Sequence, residues 1–432
     1  MKKTALALSM AAMVAGPAMA ADPAAINWSK VAAANVPLFY PGQSSYEWLR
    51  TSAHPGQKMV QDGLACITCH KGTEKKLGEK LVKGGPLEPT PVKGKTGYKD
   101  LKVQAAYDAS NLYLRFQWQT QGKRPGNNYP YYRFDGQGWA RYGGPRLAKA
   151  VQEGKQPAVY EDRMSFMLDD GKVPMFATQG CWLTCHEGER DMPKVASNED
   201  VAGNAMMQAI KKADVRKYLP ASRSNAADWK SGKSLDELKK LKAEGHFVDL
   251  IQWRAHRTNI VGGTDDGYVL EWRYFDSGAN HFASNMDGAK KMPKFMFDAA
   301  KFGSAAIAEK QIGQKEAILV KGVNAVPFDP AAGWKEGDLL PQYVVSGADA
   351  KGSAADNKGQ GSWAKGRWTV VVTRPLNLAN DDDKVLKEGG VYNVGFAVHD
   401  DNITTRGHQI SFVRTLGIGA KTKADIRAVK LR

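Results

Sequence analysis

The clearest pattern along the chain is the alternation of apolar and polar residues over short segments. Residues 112–118 alternate in this way, as expected of a β-strand with one buried face. Similar patterns predict a preceding strand that contains Val103 and Ala105, and further strands at 268–275, 368–373, 392–398 and 410–416. Turns rich in Gly, Asp and Asn separate these segments. Such spacing favours a mainly β fold, an antiparallel β-sandwich, over a parallel α/β sheet.

Helical patterns are concentrated in the middle of the chain. Ser234 and Glu237 form a capping box ahead of an apolar helical stripe, and residues 200–218 have helical spacing. We therefore interpret 180–245 as a partly helical insertion between strands of the sandwich.

The first twenty residues have the pattern of a cleaved export signal. Lys2 and Lys3 precede an apolar stretch, and Ala18-Met19-Ala20 provides a small-residue cleavage site after Ala20. The apolar stretch is too short to span a bilayer, and no later segment reaches that length, so we expect no transmembrane anchor. The sequence predicts export to a bacterial periplasm.

The remaining chain divides by its residue pattern. Residues 21–95 have few strand-like patterns and end in a proline-rich linker. Residues 96–420 carry the predicted sandwich, and residues 421–432 form a short basic tail.

The charge balance points to protein partners. The chain has 61 Lys and Arg against 45 Asp and Glu, a formal net charge of +16. An excess of lysine on an exported redox protein suggests steering toward acidic redox partner proteins, although the charge could equally serve solubility alone. Nucleic acid is not an expected partner, because no concentrated basic stripe with interleaved aromatics is present.

All four cysteines lie in two short motifs. Cys66 and Cys69 precede His70 in a CxxCH run, the spacing at which two thiols attach a c-type haem and the histidine ligates its iron. A second run, from Cys181 through Cys185 to His186, has three residues between the thiols, and its thiols and His186 are expected to attach and ligate a second haem in the same way. The sequence thus predicts two covalent haems c. A zinc site formed by both thiol pairs, and a local disulfide from Cys181 to Cys185, are the alternatives.

The second axial ligands have to come from elsewhere in the chain. His54 is the leading candidate at the first haem because it is close in sequence, and its alternative role is that of a turn histidine. His256 and His399 are the candidates at the second haem, against an ordinary hydrogen-bonding role. Met59, Met175 and Met296 are possible thioether ligands, although methionine is more often core filling. A second strong ligand favours electron transfer, whereas an open position admits small molecules.

A further set of short segments follows a fixed order through the predicted sandwich. These are Ala106-Tyr107-Asp108, Asn111 to Phe116, Glu161-Asp162-Arg163 leading into Gly180-Cys181, Asp249, Trp253, Arg257-Thr258, Asp265-Asp266 and Gly395 to Asp400. In these segments the chain resembles the haem-binding subunit family of ethylbenzene dehydrogenase, also described as the cytochrome c-552/DMSO reductase-like haem-binding domain. The resemblance covers most of 96–418.

The resemblance implies a sandwich like that of DOMON domains and family 9 carbohydrate-binding modules, with a haem at one end. It also implies electron transfer rather than substrate chemistry. The ethylbenzene dehydrogenase subunit holds a non-covalent haem through Met and Lys. This sequence departs from that pattern in its cysteine motifs, and is similar to an exported c-type branch with two haems.

These observations lead to one main hypothesis. The chain is expected to be a periplasmic dihaem c-type cytochrome that carries electrons between respiratory partners such as other cytochromes, or that serves a molybdenum oxidoreductase as its haem subunit. The alternatives are a dihaem enzyme with one open iron, acting on peroxide or a small oxyanion, and a haem-based sensor or binding module. No constellation of acid, base and anion-binding residues argues for a catalyst.

Overall fold

The computed structural model describes residues 22–123, 125–314, 317–378, 380–404, 406–419 and 421–431. The predicted export signal at 1–20 lies outside these residues. The α-helices of the described residues are α1 Gln57–Gln61, α2 Cys66–His70, α3 Glu74–Leu81, α4 Lys149–Gln152, α5 Phe176–Gln179, α6 Asn198–Gly203, α7 Ala205–Ala209, α8 Leu235–Ala243 and α9 Ala299–Phe302. Among these residues, no helix combines the length and apolarity needed to cross a membrane.

Strands dominate the described residues and confirm the predicted mainly β fold. The strands are β1 Ala33–Phe39, β2 Tyr98–Tyr107, β3 Asn111–Gln119, β4 Tyr131–Phe134, β5 Trp139–Tyr142, β6 Arg163–Asp169, β7 Val248–Arg254, β8 Tyr268–Val269, β9 Phe282–Ser284, β10 Met286–Asp287, β11 Met292–Pro293, β12 Phe295–Phe297, β13 Leu319–Val320, β14 Ala325–Pro327, β15 Leu339–Pro341, β16 Tyr343–Val345, β17 Lys358–Ala364, β18 Arg367–Pro375, β19 Val391–His399, β20 Gln409–Ile410, β21 Arg414–Ile418 and β22 Ile426–Lys430.

The main sheet has twelve strands in the order β17-β18-β3-β2-β1-β20-β19-β6-β7-β8, with β21 and β22 attached. Because β21 pairs with β19 and β22 pairs with β2, six of these strands form a closed ring. All pairs in this sheet are antiparallel except those that involve β22 with β2 and β21. The ring removes sheet edges that would otherwise present unpaired backbone groups.

The core lies between the layer that contains β2, β3 and β18 and the layer that contains β6, β7 and β19. Phe116 of β3 contacts Phe166 of β6 and Phe396 of β19, each at 5.9 Å between ring centres. Trp118 contacts Trp253 of β7 at 6.2 Å. Full burial of such a side chain stabilises the fold by about 1.5–3 kcal/mol. The alternation that predicts β3 is therefore the alternation that fills this core.

Two of the predicted strands, at 268–275 and 410–416, are shorter in the structure because the chain bends within them. The predicted strand at 268–275 is wrong beyond β8, because the chain turns back on itself and Val269 bridges Arg273. The predicted strand at 410–416 is divided into β20 and β21. Phe412, between them, packs its ring against Trp182 instead of continuing the ladder.

The predicted helical insertion at 180–245 contains α6 to α8 and lies between β6 and β7. The capping box of Ser234 and Glu237 is confirmed at the start of α8. The single helix predicted at 200–218 is wrong, because Asn204 interrupts it. The Asn204 side chain accepts a hydrogen bond from the Met207 N–H and begins α7, which ends at Ala209.

Both ends of the described chain join the sheet. In the N-terminal segment, β1 pairs with β2 and β20, and α3 packs against the start of β2 where Gly78 meets Gly97. A Cβ on Gly78 would lie 1.9 Å from the Gly97 carbonyl oxygen, so only glycine allows this approach. The basic tail contributes β22, because its alternating Ile426 and Ala428 side chains are buried. The cysteine motif of α2 is thereby held against the sandwich.

Candidate functional site

The first thiol motif opens on an apolar cavity. Helix α2 presents Cys66, Cys69 and His70 to a cavity of about 790 Å³. Most of its other lining residues are apolar and come from residues 39–87, together with Trp182 and Phe412. This volume is typical of a site that holds a cofactor or a drug-sized ligand.

Two imidazoles face each other in this first cavity. The ring centres of His54 and His70 are 6.3 Å apart, at an interplanar angle of 34°. Two imidazoles that ligate one metal ion from opposite sides have ring centres roughly 6 Å apart, since each bond is about 2 Å long and each ring adds about 1 Å. His54 and His70 are therefore spaced to hold one metal ion between them.

The environment of each ring suits ligation. The Nδ1 atom of His54 lies 3.1 Å from the Leu49 carbonyl oxygen, to which it donates, and this leaves Nε2 as the basic nitrogen. His70 stacks on Phe412 at 5.9 Å. Burial, and then the neighbouring His54, lower the pKa of His70, so its ring is neutral at physiological pH. A neutral imidazole is the form that binds a metal ion.

The thiols are not arranged as reactive nucleophiles. All four cysteines are unpaired, so the predicted alternative of a disulfide from Cys181 to Cys185 is not formed. Burial raises the pKa of Cys66 and Cys181 to about 11 and that of Cys185 to about 12. A catalytic cysteine requires a lowered pKa. In the described residues, no cluster with metal-binding geometry contains a cysteine, so the zinc alternative has no support.

The second thiol motif lies on a 3₁₀ turn against β19. The turn spans Gly180–Thr184, and Gly180 adopts a positive φ of 54°. Cys181 approaches Gly395 so closely that a Cβ there would lie 2.8 Å from the sulfur. Cys181 lines a second cavity of about 550 Å³, while Cys185 lines a narrow pocket beside it. The two motifs therefore open on separate cavities.

His186 is held away from the second cavity. Its Nδ1 atom lies 2.7 Å from a Glu47 carboxylate oxygen, and its Nε2 atom lies 3.1 Å from the Tyr218 carbonyl oxygen. The ring also stacks on Tyr218 at 3.7 Å. Both ring nitrogens therefore have hydrogen-bonding partners, and His186 is absent from the described lining of the cavity. Burial opposes ionisation of Glu47, but the hydrogen bond with His186 outweighs it and lowers the pKa of Glu47.

His399 is the predicted ligand candidate that lines the second cavity. It lies at the end of β19 and stacks on His408, which also lines the cavity, at 4.8 Å. Burial and the neighbouring His408 lower the pKa of His399 well below its usual value. Its ring is therefore neutral and available to a metal ion. Lys217 offers a further nitrogen in the same lining.

The other sequence-predicted candidates lie outside both linings or away from the imidazoles. His256 donates through Nδ1 to the Asn127 carbonyl oxygen at 3.0 Å, behind the wall of the second cavity. Met59 lines the first cavity, but its sulfur lies 3.9 Å from Cys69 and half of the residue is exposed. Met175 caps α5, and Met296 packs in the small lobe of β4, β5 and β9 to β16.

The second cavity is strongly cationic. Its lining includes six guanidinium groups, from Arg163, Arg190, Arg216, Arg254, Arg257 and Arg273. Four carboxylates form their ion pairs: Glu161, Asp191, Asp214 and Asp265. The buried Arg163 has two nitrogen atoms, Nε and Nη2, without hydrogen-bond partners. This excess of positive charge suits an anionic group inside the cavity.

An aromatic cluster lies between the two sites. Trp182, within the second motif, packs on Phe39 at 5.7 Å and on Phe412 at 5.5 Å, and Phe412 stacks on His70 of the first motif. The Trp182 indole N–H donates to the Ser44 hydroxyl at 2.9 Å. A chain of ring contacts therefore joins the two motifs.

Sequence reasoning missed Lys217 and the arginine lining. Neither has a local signature, because the arginines come from strands and loops spread over more than a hundred residues. The role of Trp182 had one available signal, its position between the two thiols of the second motif.

Comparison with known proteins agrees with the predicted resemblance. A family model described as ethylbenzene dehydrogenase matches residues 25–411. The chain is 29% identical to cytochrome c-552 of Stutzerimonas stutzeri over 435 aligned residues, which cover all of both chains. It is 31% identical to cytochrome c-551 of Rhodocyclus tenuis over 209 residues, which cover 48% of this chain and 68% of the relative.

Proposed function

The chain belongs to the ethylbenzene dehydrogenase family, and we propose that it is a periplasmic dihaem c-type cytochrome that carries electrons between respiratory partners. The observation that carries the proposal is the pair of cavities, each beside one thiol motif, with an aromatic contact between them. The two relatives named above as cytochromes c support covalent haem in this chain.

At the first site, Cys66 and Cys69 would form the thioether bonds, and His70 and His54 would ligate the iron. The 6.3 Å separation of the two imidazoles and the apolar cavity fit such a group. Haem supplies one-electron chemistry when bound. The residues of this chain hold it, and their apolar side chains exclude water. Two strong ligands close the iron to small molecules, which favours electron transfer over catalysis.

At the second site, Cys181 and Cys185 would hold the haem, and His399 would be the ligand supplied by the cavity. The unpartnered nitrogens of Arg163 fit the propionate groups that such a haem carries. His186 could ligate the iron only after its Nε2 atom leaves the Tyr218 carbonyl oxygen. In the described arrangement, we propose that it anchors the motif through Glu47.

The surface near the first cavity suits an acidic partner. Five exposed lysines lie on and around α3: Lys71, Lys75, Lys76, Lys80 and Lys83. Lys80 also lines the first cavity. Such a concentration of charge accelerates encounter with an oppositely charged surface and weakens with ionic strength. Electrons would enter or leave at the first site, and the ring contacts of Phe412 and Trp182 would lie between the two sites.

A haem count tests the proposal most directly. Denatured, reduced protein should show two c-type haems per chain in a pyridine haemochrome assay, and potentiometric titration should show two reversible one-electron steps. A count of one would remove the second site. His399→Ala and His186→Ala then separate the two ligand assignments, because only the first should change the spectrum of the second haem.

The second cavity also favours one alternative, a dihaem enzyme that reduces a small oxyanion. Its guanidinium groups would bind such an anion beside an open iron. In that case the resting protein would show a high-spin iron and turn over nitrite with a reduced dye as electron donor. A low-spin spectrum at both irons, without nitrite turnover, would leave electron transfer as the function.

A further inference from the structure

Six aspartates from distant segments meet on the side of the sandwich where β7 begins. They are Asp249 of β7, Asp266 and Asp276 on either side of β8, Asp356 before β17, and Asp382 and Asp383 between β18 and β19. Oxygen atoms of Asp249, Asp266 and Asp383 all lie within 4.8 Å of one another, and so do those of Asp276, Asp382 and Asp383. Asp383 thus joins two acidic trios into one cluster.

The protein provides little positive charge to balance this cluster. Arg374 pairs with Asp249 at 2.6 Å and with Asp383 at 3.6 Å. The neighbouring Lys384 directs its ammonium group elsewhere, to Asp170 at 2.7 Å. Among the ion pairs of the described residues, Arg374 is therefore the one cation that pairs with the six carboxylates. Burying an ionised carboxylate in such surroundings costs a large amount of free energy unless it is paired or binds a metal ion.

A second observation is independent of the acidic composition. Asp276 is only 5% exposed, and both of its carboxylate oxygens lack a hydrogen-bond partner while facing Asp382 and Asp383. Four more buried oxygens of the cluster lack a partner: Oδ1 of Asp249, of Asp356, of Asn357 and of Asp383. Counting the two of Asp276, six buried side-chain oxygens of the cluster and of its neighbour Asn357 lack a donor.

The donors that are present hold the remaining oxygens in place. Ser353 donates its hydroxyl to Asp382 at 2.8 Å and to Asp383 at 2.9 Å. The Asn357 amide donates to Asp266, which leaves the Asn357 amide oxygen free. These bonds orient the side chains and leave the unpartnered oxygens for another partner.

We propose that this aspartate cluster binds Ca²⁺. The two trios contain only carboxylates, the ligands of a hard cation. Ca²⁺ takes about six to eight oxygen ligands at flexible distances, whereas Mg²⁺ keeps several waters and binds one or two carboxylates. The two trios bring five aspartates together through Asp383, more carboxylates than Mg²⁺ binds, and so match the larger ion.

The ion connects parts of the chain that the sandwich alone leaves as loops. Asp276 follows the segment that contributes Trp272, Arg273 and Phe275 to the wall of the second cavity. Asp249 precedes Leu250, which lines the same cavity from β7. Bound Ca²⁺ therefore holds this wall against the sandwich, independently of whether the cavity contains a haem.

The cluster has a different protonation state without the ion. Burial and the neighbouring aspartates raise the pKa of Asp276 to about 10, and burial raises the pKa of Asp249 to about 6 although Arg374 opposes it. Without a cation, protons would hold the cluster together. The experiment must therefore separate metal binding from proton sharing.

The test uses the purified full-length protein with its cofactors attached. Elemental analysis after desalting should find bound calcium. Removal with EGTA should lower the midpoint of thermal unfolding, and Ca²⁺ at about a hundredfold excess over its Kd should restore about 3 °C. Mg²⁺ at the same concentration should not restore it. Equal restoration by both ions, or no response to either, would overturn the assignment.

Two variants complete the test. Asp276→Asn should lose the response to Ca²⁺, yet be at least as stable as the wild type in EGTA because one buried carboxylate has gone. A variant that merely misfolds would be less stable in both conditions, and Asp276→Asn would then be replaced by Asp383→Asn. Asp381→Asn, in the same loop but exposed, should keep the full response. A wild type without a Ca²⁺ response, with Asp276→Asn more stable in every condition, would show that protons bind there instead.

Discussion

The two thiol motifs are similar in sequence but lie in contrasting surroundings. The first cavity is apolar, and nearly all of its lining comes from residues 39–87. The second is lined by guanidinium groups drawn from residues 163–273 and by His399 from β19. A short local segment can therefore build an apolar cofactor site, whereas a charged site requires contributions from the whole sandwich. The following predictions test this contrast, from the largest expected effect to the smallest.

Removal of either thiol pair should have the largest effect. The double variants Cys66→Ala/Cys69→Ala and Cys181→Ala/Cys185→Ala should each contain one covalent haem instead of two, because each motif serves its own cavity. Mass spectrometry of the intact chain and the pyridine haemochrome assay measure this. Loss of both haems in either variant would show that the two sites do not form independently.

Glu161→Gln should strongly destabilise the fold around the second cavity. Glu161 is fully buried and pairs with Arg257 at 2.6 Å, and its charge also faces Arg254 and Arg163. Removal of one partner leaves buried charges uncompensated and costs about 3–5 kcal/mol. Chemical denaturation gives the free energy of unfolding.

The control for this prediction is Glu153→Gln, which removes a partly exposed carboxylate beside Lys155 and should cost about 0–1 kcal/mol. Equal effects of the two substitutions would mean that the arginine cluster does not depend on Glu161.

His256 should make the free energy of unfolding sensitive to acid. Burial lowers the pKa of His256 to about 4, although Glu161 opposes the shift. The unfolded chain then binds more protons than the folded chain between pH 6.5 and 4. This contribution to stability is therefore complete above pH 6.5 and is lost as the pH falls toward 4, by roughly 3 kcal/mol.

His256→Asn is the matched variant, because its amide can still donate to the Asn127 carbonyl oxygen. The free energy of unfolding of this variant should depend less on pH between 6.5 and 4. The same slope in the wild type and the variant would assign the acid sensitivity to other groups.

Substitutions in the aromatic contact between the two thiol motifs should change the stability least. Trp182→Phe keeps a ring against Phe412 but loses the hydrogen bond to Ser44, at a cost of about 1 kcal/mol. Ser44→Ala should lower the free energy of unfolding by a similar amount. The double variant Ser44→Ala/Trp182→Phe should lower it little further, because both substitutions remove the same hydrogen bond. Flash reduction should show slower exchange between the haems in Trp182→Phe with unchanged ligand spectra. An unchanged rate would place the electron path elsewhere.

The predictable parts of the fold were those with local patterns. The alternation at 112–118 predicts β3 because its apolar face is the face that packs against β6 and β19. The capping box of Ser234 and Glu237 predicts the start of α8 because both hydrogen bonds lie within one turn. The break of the predicted helix at Asn204 rests on its side-chain hydrogen bond from the Met207 N–H, and the bend after Val269 on a bridge to Arg273. Both contacts are local, but hydrophobic periodicity carries no signal for either.

The candidate sites divide in the same way. The sequence by itself determined the first motif and its neighbour His54, because the thiols and His70 lie on one short helix and His54 lies close to it along the chain. Only the tertiary structure decided the rest. It turned His186 toward Glu47 and Tyr218, and brought His399 and the arginines around Cys181. Covalent neighbours constrain each other wherever the chain folds, whereas residues far apart in sequence meet only through the packing of the whole sandwich.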